Sequence, residues 1–115
     1  IIYTNSGKKS TGLNPFEFVK IAEENGAGEL FLNSIDRDGT YKGYDIELIK
    51  GISNRLEIPV IASGGASKID DLKTAWVEGN AFASAAGSLF VFHGKKNAVL
   101  INYPSRDKWA NLFKV

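Results

Sequence analysis

The most informative part of the sequence reads Pro59-Val60-Ile61-Ala62-Ser63-Gly64-Gly65-Ala66-Ser67. A proline followed by a short apolar run predicts a buried strand, and the strand ends in a glycine pair. A helix is predicted to begin directly afterwards, because Ser67 is followed three positions later by Asp70, as in a capping box. A strand, two glycines and a capped helix together favour an anion-binding loop, in which backbone N–H groups approach the anion closely and the helix dipole adds to the attraction. An ordinary tight turn is the alternative interpretation.

The same alternation continues on both sides of this stretch. Apolar runs predict further buried strands at Glu29 to Asn33 and Ala81 to Ala86, and another strand at Ile1 to Thr4. Helix starts are predicted where a capping residue precedes helical spacing, at Asn14, Asp45 and Ser105. Helix ends are predicted at two glycines in left-handed conformation, Gly26 and Gly79. Alternating strands and helices predict an α/β fold with a parallel sheet, either doubly wound or closed into a barrel.

The composition limits the classes of partner. The chain has 115 residues, of which 43% are hydrophobic, so one domain with a modest core is expected. Its 14 basic and 13 acidic residues are mixed along the chain, which argues against nucleic acid or a membrane as a partner. Without any cysteine, a cytoplasmic location is the default expectation. Because the chain begins at Ile1 without a methionine, its start is expected to be truncated.

A second polar loop follows the strand predicted at Glu29 to Asn33. It reads Ser34-Ile35-Asp36-Arg37-Asp38-Gly39-Thr40, and its two carboxylates can exchange protons or hold a hydroxylated ligand. Asp38 is the better catalytic candidate because it adjoins the flexible Gly39. A network of Asx turns in a solvent-exposed loop is the alternative interpretation.

A third loop, Ala85-Ala86-Gly87-Ser88-Leu89-Phe90, follows the last predicted strand and can begin a short helix. Barrels commonly bind phosphate between the loops after strands seven and eight, next to such a helix. Two successive loops of small residues therefore favour a barrel over a doubly wound sheet. His93 is the single histidine, so neither a metal site nor a cofactor is expected.

These loops resemble the cyclase subunit of imidazole glycerol phosphate synthase. The resemblance includes Asn5 to Gly12, Gly26 to Glu29, the loop from Ser34 to Thr40 with Gly43-Tyr44-Asp45, and the stretch from Pro59 to Gly65. It implies the C-terminal half of a (β/α)8 TIM barrel, with residues 1–115 forming a single partial domain from the end of strand five to the final helix.

The resemblance also implies roles for particular residues. Asp38 is the implied catalytic residue, and the implied substrate- and phosphate-binding residues are Ser6, Gly7, Gly39, Ser63, Gly64, Gly65, Ala86, Gly87 and Ser88. Lys8 or Lys9 can meet a second anionic group. The family's two principal acid–base aspartates would precede Ile1.

Three functions remain open at this point. The first is a cyclase that uses ammonia from a glutaminase subunit on a phosphorylated small molecule in histidine biosynthesis. The second is an amidation subunit for a surface-polysaccharide sugar precursor, which the segment from Phe92 to Pro104 favours by its resemblance to that paralogous branch. The third is a non-catalytic phosphate-binding or assembly module. The chain by itself is expected to lack efficient turnover and to self-associate, because half a barrel leaves strand edges unpaired.

Overall fold

A computed structural model describes residues 1–114 of the chain. In chain order the elements are β1 (Tyr3–Thr4), β2 (Lys9–Ser10), α1 (Pro15–Glu24), β3 (Leu30–Asn33), α2 (Ile46–Ser53), β4 (Val60–Ser63), α3 (Ile69–Val77), β5 (Ala83–Ser84), α4 (Ser88–Val91), β6 (Phe92–His93), β7 (Ala98–Val99) and α5 (Arg106–Leu112). None of the helices within residues 1–114 is long and apolar enough to cross a membrane.

A three-stranded parallel sheet in the order β3-β4-β5 organises the fold. Leu30 pairs with Val60, and Ile61 pairs with Ala83, so the strands begin and end nearly level with one another. The strands lie side by side in the same order in which they occur in the chain. Right-handed connections between them then place both connecting helices on one face of the sheet. This winding is that of a barrel, since a doubly wound sheet reverses direction and carries helices on both faces.

The helix-covered face contains the core. Leu32 and Ala62 lie side by side on this face, between a cluster around Ile52 and a cluster around Tyr44. On the opposite face, Phe31 is 58% exposed and Ala83 is also exposed. The prediction of strands buried on both faces is therefore wrong for the described chain, because helices cover only one side of the sheet.

The predicted caps of three helices are confirmed. The Asn14 side chain accepts a hydrogen bond from the Phe16 N–H at 2.9 Å at the start of α1. At the start of α2, the Asp45 side chain accepts a hydrogen bond from the Leu48 N–H at 3.1 Å. At the start of α5, the Ser105 hydroxyl oxygen accepts one from the Lys108 N–H at 3.3 Å. These side chains satisfy N–H groups that the first turn of a helix leaves without a partner.

Two predictions at the ends of α3 are wrong. The helix begins at Ile69, and the residue that caps it is Asp71 rather than Asp70, because the Asp71 carboxylate accepts hydrogen bonds from the backbone of Ser67 and Lys68. At the other end, the helix stops before Gly79 as predicted, but Gly79 does not have the expected positive φ. Its lack of a side chain is required instead by close packing, since a Cβ there would lie 2.6 Å from the Ala75 carbonyl oxygen.

The helix α1 ends as predicted. Gly26 follows it with a φ of +94°, in the left-handed region. The Glu23 side chain in the last turn accepts hydrogen bonds from the backbone N–H groups of Glu57 and Ile58, at 2.6 and 3.0 Å. Its hydrogen bond with Lys20, followed by these backbone contacts, lowers the pKa of Glu23. Glu23 thereby fixes the end of α1 to the segment that leads into β4.

Two strand predictions need correction. The strand expected at Ile1 to Thr4 is outside the parallel sheet, because β1 pairs antiparallel with β2 in a separate hairpin. The strand expected at Ala81 to Ala86 shrinks to the two residues of β5. Hydrogen bonds nevertheless continue beyond both of its ends, from the Phe82 N–H to the Val60 carbonyl and from the Ala85 N–H to the Ala62 carbonyl.

A buried tyrosine connects two of the loops that follow the parallel strands. Tyr44 is 4% exposed, and its hydroxyl donates a 2.8 Å hydrogen bond to the carbonyl oxygen of Ala85. Burial, followed by the nearby charge of Asp71, raises the pKa of Tyr44 to about 12. The neutral phenol is therefore the form that the folded state requires.

Replacing Tyr44 with Phe should lower the free energy of unfolding by about 1 kcal/mol at neutral pH, because the Ala85 carbonyl loses its hydrogen bond. Because the pKa of Tyr44 is raised in the folded state, the neutral phenol contributes to the free energy of unfolding in full below about pH 10, the pKa of an unfolded tyrosine. This contribution is lost as the pH rises from there toward the pKa of the folded state. The free energy of unfolding of the wild type should therefore fall by up to about 1.4 kcal/mol per pH unit above about pH 10, and that of the Phe variant should not show this decrease.

Urea unfolding of both proteins at about pH 8 and about pH 11 measures this difference. Tyr3→Phe is the matched control, since Tyr3 is 44% exposed. A gap between wild type and Tyr44→Phe that stays constant across this pH range would contradict the assignment.

Candidate anion-binding site

Three loops meet at one edge of the sheet. Because β3, β4 and β5 run parallel, the loops that leave their carboxyl ends lie next to one another. Together they form a small concavity, which is lined by Asp38, Gly39, Tyr41, Ser63, Gly64, Gly65, Ala66, Ala85, Ala86, Gly87 and Ser88. Neither lysine nor arginine is among these lining residues.

Unpaired backbone donors surround the concavity. In the part of the chain that the structure describes, eight N–H groups of its lining make no hydrogen bond within the protein, those of Gly39, Tyr41, Gly64, Gly65, Ala66, Ala86, Gly87 and Ser88. Two of these belong to the loop after β3, three to the loop after β4 and three to the loop after β5. Donors on two sides of one depression are suited to an anion with several acceptor oxygens, such as a phosphate group.

The glycine pair has a structural role as well as open N–H groups. Both glycines have positive φ, +95° at Gly64 and +104° at Gly65. A Cβ at Gly64 would lie 2.6 Å from the Ser34 carbonyl oxygen, and one at Gly65 would collide with the carbonyl oxygen of Gly43. The Gly43 N–H also donates to the Gly65 carbonyl at 2.8 Å. The loop after β4 therefore packs directly on the loop after β3.

The dipole of α3 does not act on this concavity as the sequence suggested. The carboxylate of Asp71 accepts hydrogen bonds from the Ser67 N–H at 2.8 Å, the Ser67 hydroxyl at 2.9 Å and the Lys68 N–H at 3.1 Å. Asp71 thus occupies the anion position at the N-terminus of its own helix. The available donors come from the loops themselves.

Most of the predicted site residues lie together. Asp38 and Gly39 line the concavity from the loop after β3, and the six predicted binding residues of the other two loops line it as well: Ser63, Gly64, Gly65, Ala86, Gly87 and Ser88. Asp36 is separate from them, on an apolar groove beside β3 that also includes Ile35 and Phe31.

The structure does not bring Ser6 and Gly7 to this concavity. Both lie in the turn between β1 and β2, where φ is +56° at Ser6 and +79° at Gly7. A Cβ at Gly7 would lie 3.6 Å from the Ile35 Cδ1 atom, so the turn is adjacent to the opposite side of the loop after β3. Local turn geometry explains why a glycine is at this position.

Sequence reasoning missed three residues that also line the concavity, Tyr41, Ala66 and Ala85. The two alanines carry no signal of their own. Tyr41 offered one signal, a large aromatic side chain within a loop of otherwise small or polar residues.

Fold and site together define a parallel β/α protein with a concavity lined by unpaired backbone N–H groups at the carboxyl ends of its strands. Residues 1–96 match the family model described as "Histidine biosynthesis protein". The chain therefore belongs to the histidine biosynthesis protein family. The predicted fold class is confirmed, since the parallel strands and their helices are part of a (β/α)8 barrel.

Curated relatives agree with this assignment. A putative imidazole glycerol phosphate synthase subunit hisF2 of Pseudomonas aeruginosa is 48% identical over 107 residues, which are 93% of this chain and 43% of that protein. The imidazole glycerol phosphate synthase subunit HisF of Hyphomonas neptunium is 52% identical over 79% of this chain and 36% of its own length. The corresponding HisF subunit of Dehalococcoides mccartyi is 54% identical over 77% of this chain and 35% of its own length.

The chain thus spans less than half the length of these relatives. The predicted resemblance to imidazole glycerol phosphate synthase is confirmed. None of the three names refers to the amidation of a polysaccharide precursor, so the comparisons do not favour that alternative.

Substituting Ala for Gly64 should destabilise the protein by more than about 1 kcal/mol, because the new methyl group meets the Ser34 carbonyl and the backbone is left-handed. Gly12→Ala is a matched control, since Gly12 has a φ of +72° but no atom within 4 Å of its Cβ position. The control measures the strain alone. Urea midpoints should place Gly64→Ala clearly below Gly12→Ala, and equal midpoints would show that the loops are not in tight contact.

Proposed function

We propose that the protein containing this chain is the cyclase subunit of imidazole glycerol phosphate synthase. In that reaction, ammonia from a glutaminase subunit is used to form imidazole glycerol phosphate from a phosphorylated small molecule. The observation that supports this proposal is the convergence of eight unpaired N–H groups and Asp38 on one concavity. The names of the relatives point in the same direction.

The backbone donors would bind a phosphate group of the substrate and so fix its orientation. Those contributed by the loop after β4 are rigid, because Gly64 and Gly65 are buried and packed against the neighbouring loop. Fixed donors of this kind orient a ligand without a large entropic cost at the moment of reaction. The phosphate thus serves as the fixed end of the substrate.

Asp38 would act at the reacting end as a general acid or base. It is exposed at the rim of the concavity, and its backbone N–H donates a 2.9 Å hydrogen bond to the Ser34 carbonyl. This bond holds the turn that presents Asp38 beside the anion donors. Asp36, which lies on the other side of the loop, would not contact the substrate.

In the complete enzyme with its glutaminase partner, Asp38→Asn should lower kcat/KM by about 10²- to 10⁴-fold, the usual range for losing a general acid or base. Asp36→Asn is the matched control and should keep kcat/KM within a few-fold of wild type. Reversed effects would exchange the roles of the two residues. Normal turnover by Asp38→Asn together with retained phosphate binding would favour the non-catalytic phosphate-binding module.

Ser6 and Gly7 remain proposed binding residues, but for a different part of the ligand. Their turn is exposed and is followed by Lys8 and Lys9. These lysines would meet a second anionic group on the far side of the loop after β3, where Gly7 adjoins Ile35.

We further propose that residues 1–115 form a single partial domain that self-associates when it is alone. The outer edges of β3 and β5 carry no strand partner within residues 1–114. The open face of the sheet also exposes Phe31 by 58%, and Phe82 next to β5 is 76% exposed. Each ~100 Å² of apolar surface that is covered contributes about 2.5 kcal/mol, so pairing of two chains is favoured.

Sedimentation equilibrium of the isolated chain at micromolar concentration should show a dimer or larger species. Phe31→Ser should shift this equilibrium toward the monomer, whereas Val77→Ser, on the exposed surface of α3, should not. A folded monomer of the wild-type chain would contradict the proposal.

A further inference from the structure

Tyr41 has a backbone conformation that is unusual for its side chain. Its φ is +56°, in the left-handed region. The other non-glycine residues with positive φ within residues 1–114 are small and polar: Asn5, Ser6, Asn80 and Asn97. Asparagine enters this region readily, while a bulky residue does so only at a cost in free energy. Strained residues of this kind concentrate at ligand sites.

Contacts on both sides of Tyr41 hold it in this conformation. The hydroxyl of Thr40 donates to the Arg37 carbonyl at 2.6 Å and accepts a hydrogen bond from the Lys42 N–H at 3.3 Å. The N–H of Gly43 is bound to the carbonyl of Gly65 in the next loop. The backbone is therefore constrained immediately before and after Tyr41, and the strain cannot relax locally.

Core packing does not account for the strain. Tyr41 is half-buried, yet it belongs to neither hydrophobic cluster of the described chain. Tyr44, three positions later, shows the contrast, because it lies in the core and donates its hydroxyl to Ala85. Nowhere in residues 1–114 does the hydroxyl of Tyr41 find a hydrogen-bond partner.

Tyr41 is among the residues that line the same concavity as the unpaired N–H groups of Gly64 and Gly87. No cationic side chain lines this concavity, so every donor available to an anion there is uncharged. A phenol hydroxyl directed into the concavity would add a donor to this set, and Tyr41 is the only aromatic residue of the lining within residues 1–114. It would also place a flat apolar surface beside whatever is esterified to the phosphate.

We propose that Tyr41 is a ligand-binding residue whose hydroxyl donates a hydrogen bond to the phosphate group in this concavity and whose ring packs against the adjoining carbon skeleton of the ligand. This assignment rests on the proposed phosphate site and specifies its ligand class as an organic phosphate monoester. The strained backbone is the conformation that directs the ring to this position. The backbone strain at Tyr41 lowers the stability of the protein, and the side chain placed by it contributes to ligand binding.

Two substitutions separate binding from stability. Tyr41→Phe removes only the hydroxyl, and Tyr41→Asn removes the ring and introduces a residue that tolerates the left-handed conformation. In the intact protein, both should weaken the binding of inorganic phosphate by about tenfold, the effect of losing a hydrogen bond to a charged group. The thermal midpoint of Tyr41→Asn should be equal to or above that of wild type, because strain is relieved.

Titration calorimetry with inorganic phosphate and thermal unfolding without it measure the two quantities. Tyr3→Phe serves as the control for loss of a tyrosine hydroxyl outside the concavity. If the wild type binds phosphate and Tyr41→Phe binds it equally well, the phosphate site stands and the role of Tyr41 is wrong. A lower midpoint for Tyr41→Asn with unchanged phosphate affinity would make Tyr41 a purely structural residue. If the wild type itself does not bind phosphate, the proposed site fails and this inference fails with it.

Discussion

The close contact between the loops after β3 and β4 is the constraint on which the site depends. The Gly64 backbone passes so near to Ser34 that no Cβ fits between them, and Gly43 and Gly65 are joined by a hydrogen bond. Parallel pairing brings the two loops to the same edge, but only residues without side chains let them touch. Without this contact, the N–H groups of the second loop would not face the loop that carries Asp38.

The same contact is the basis of the proposed phosphate site in a chain with nearly balanced charge. The donors around the concavity are backbone groups, which cannot move away or be screened as a long lysine side chain can. The N-terminus of α3 is not part of this set, because Asp71 accepts hydrogen bonds from the N–H groups of Ser67 and Lys68. Rigid dipoles fix both the position and the orientation of a phosphate group, which suits a site where the rest of the ligand must react.

The tyrosines at positions 41 and 44 illustrate how one loop serves two purposes. The side chain of Tyr44 points into the core and ties the loop to Ala85, at the start of the third loop. Tyr41, on the same short segment, belongs to neither apolar cluster and lines the concavity instead. All three loops are thus held in one arrangement by short-range contacts, and the helices behind the sheet support them through the two apolar clusters.

The sequence by itself determined the alternation of strands and helices, three of the helix caps and most of the concavity. These features depend on local chemistry: Asn14, Asp45 and Ser105 cap the helices that directly follow them, and small residues after apolar strands predict anion loops. Only the structure decided that Asp71 rather than Asp70 caps α3, that Gly79 is required by packing, that Ser6 and Gly7 lie apart and that Tyr41 lines the concavity. The positions of Ser6, Gly7 and Tyr41 and the contact of Gly79 with Ile49 depend on which elements come within a few ångströms of one another, and residues distant in sequence set those distances. The cap at Asp71 is a local contact with Ser67 and Lys68, but the choice between two adjacent carboxylates depends on where the helix begins. A pattern of residue types carries the local conformation, whereas close approach between loops is decided when the sheet assembles.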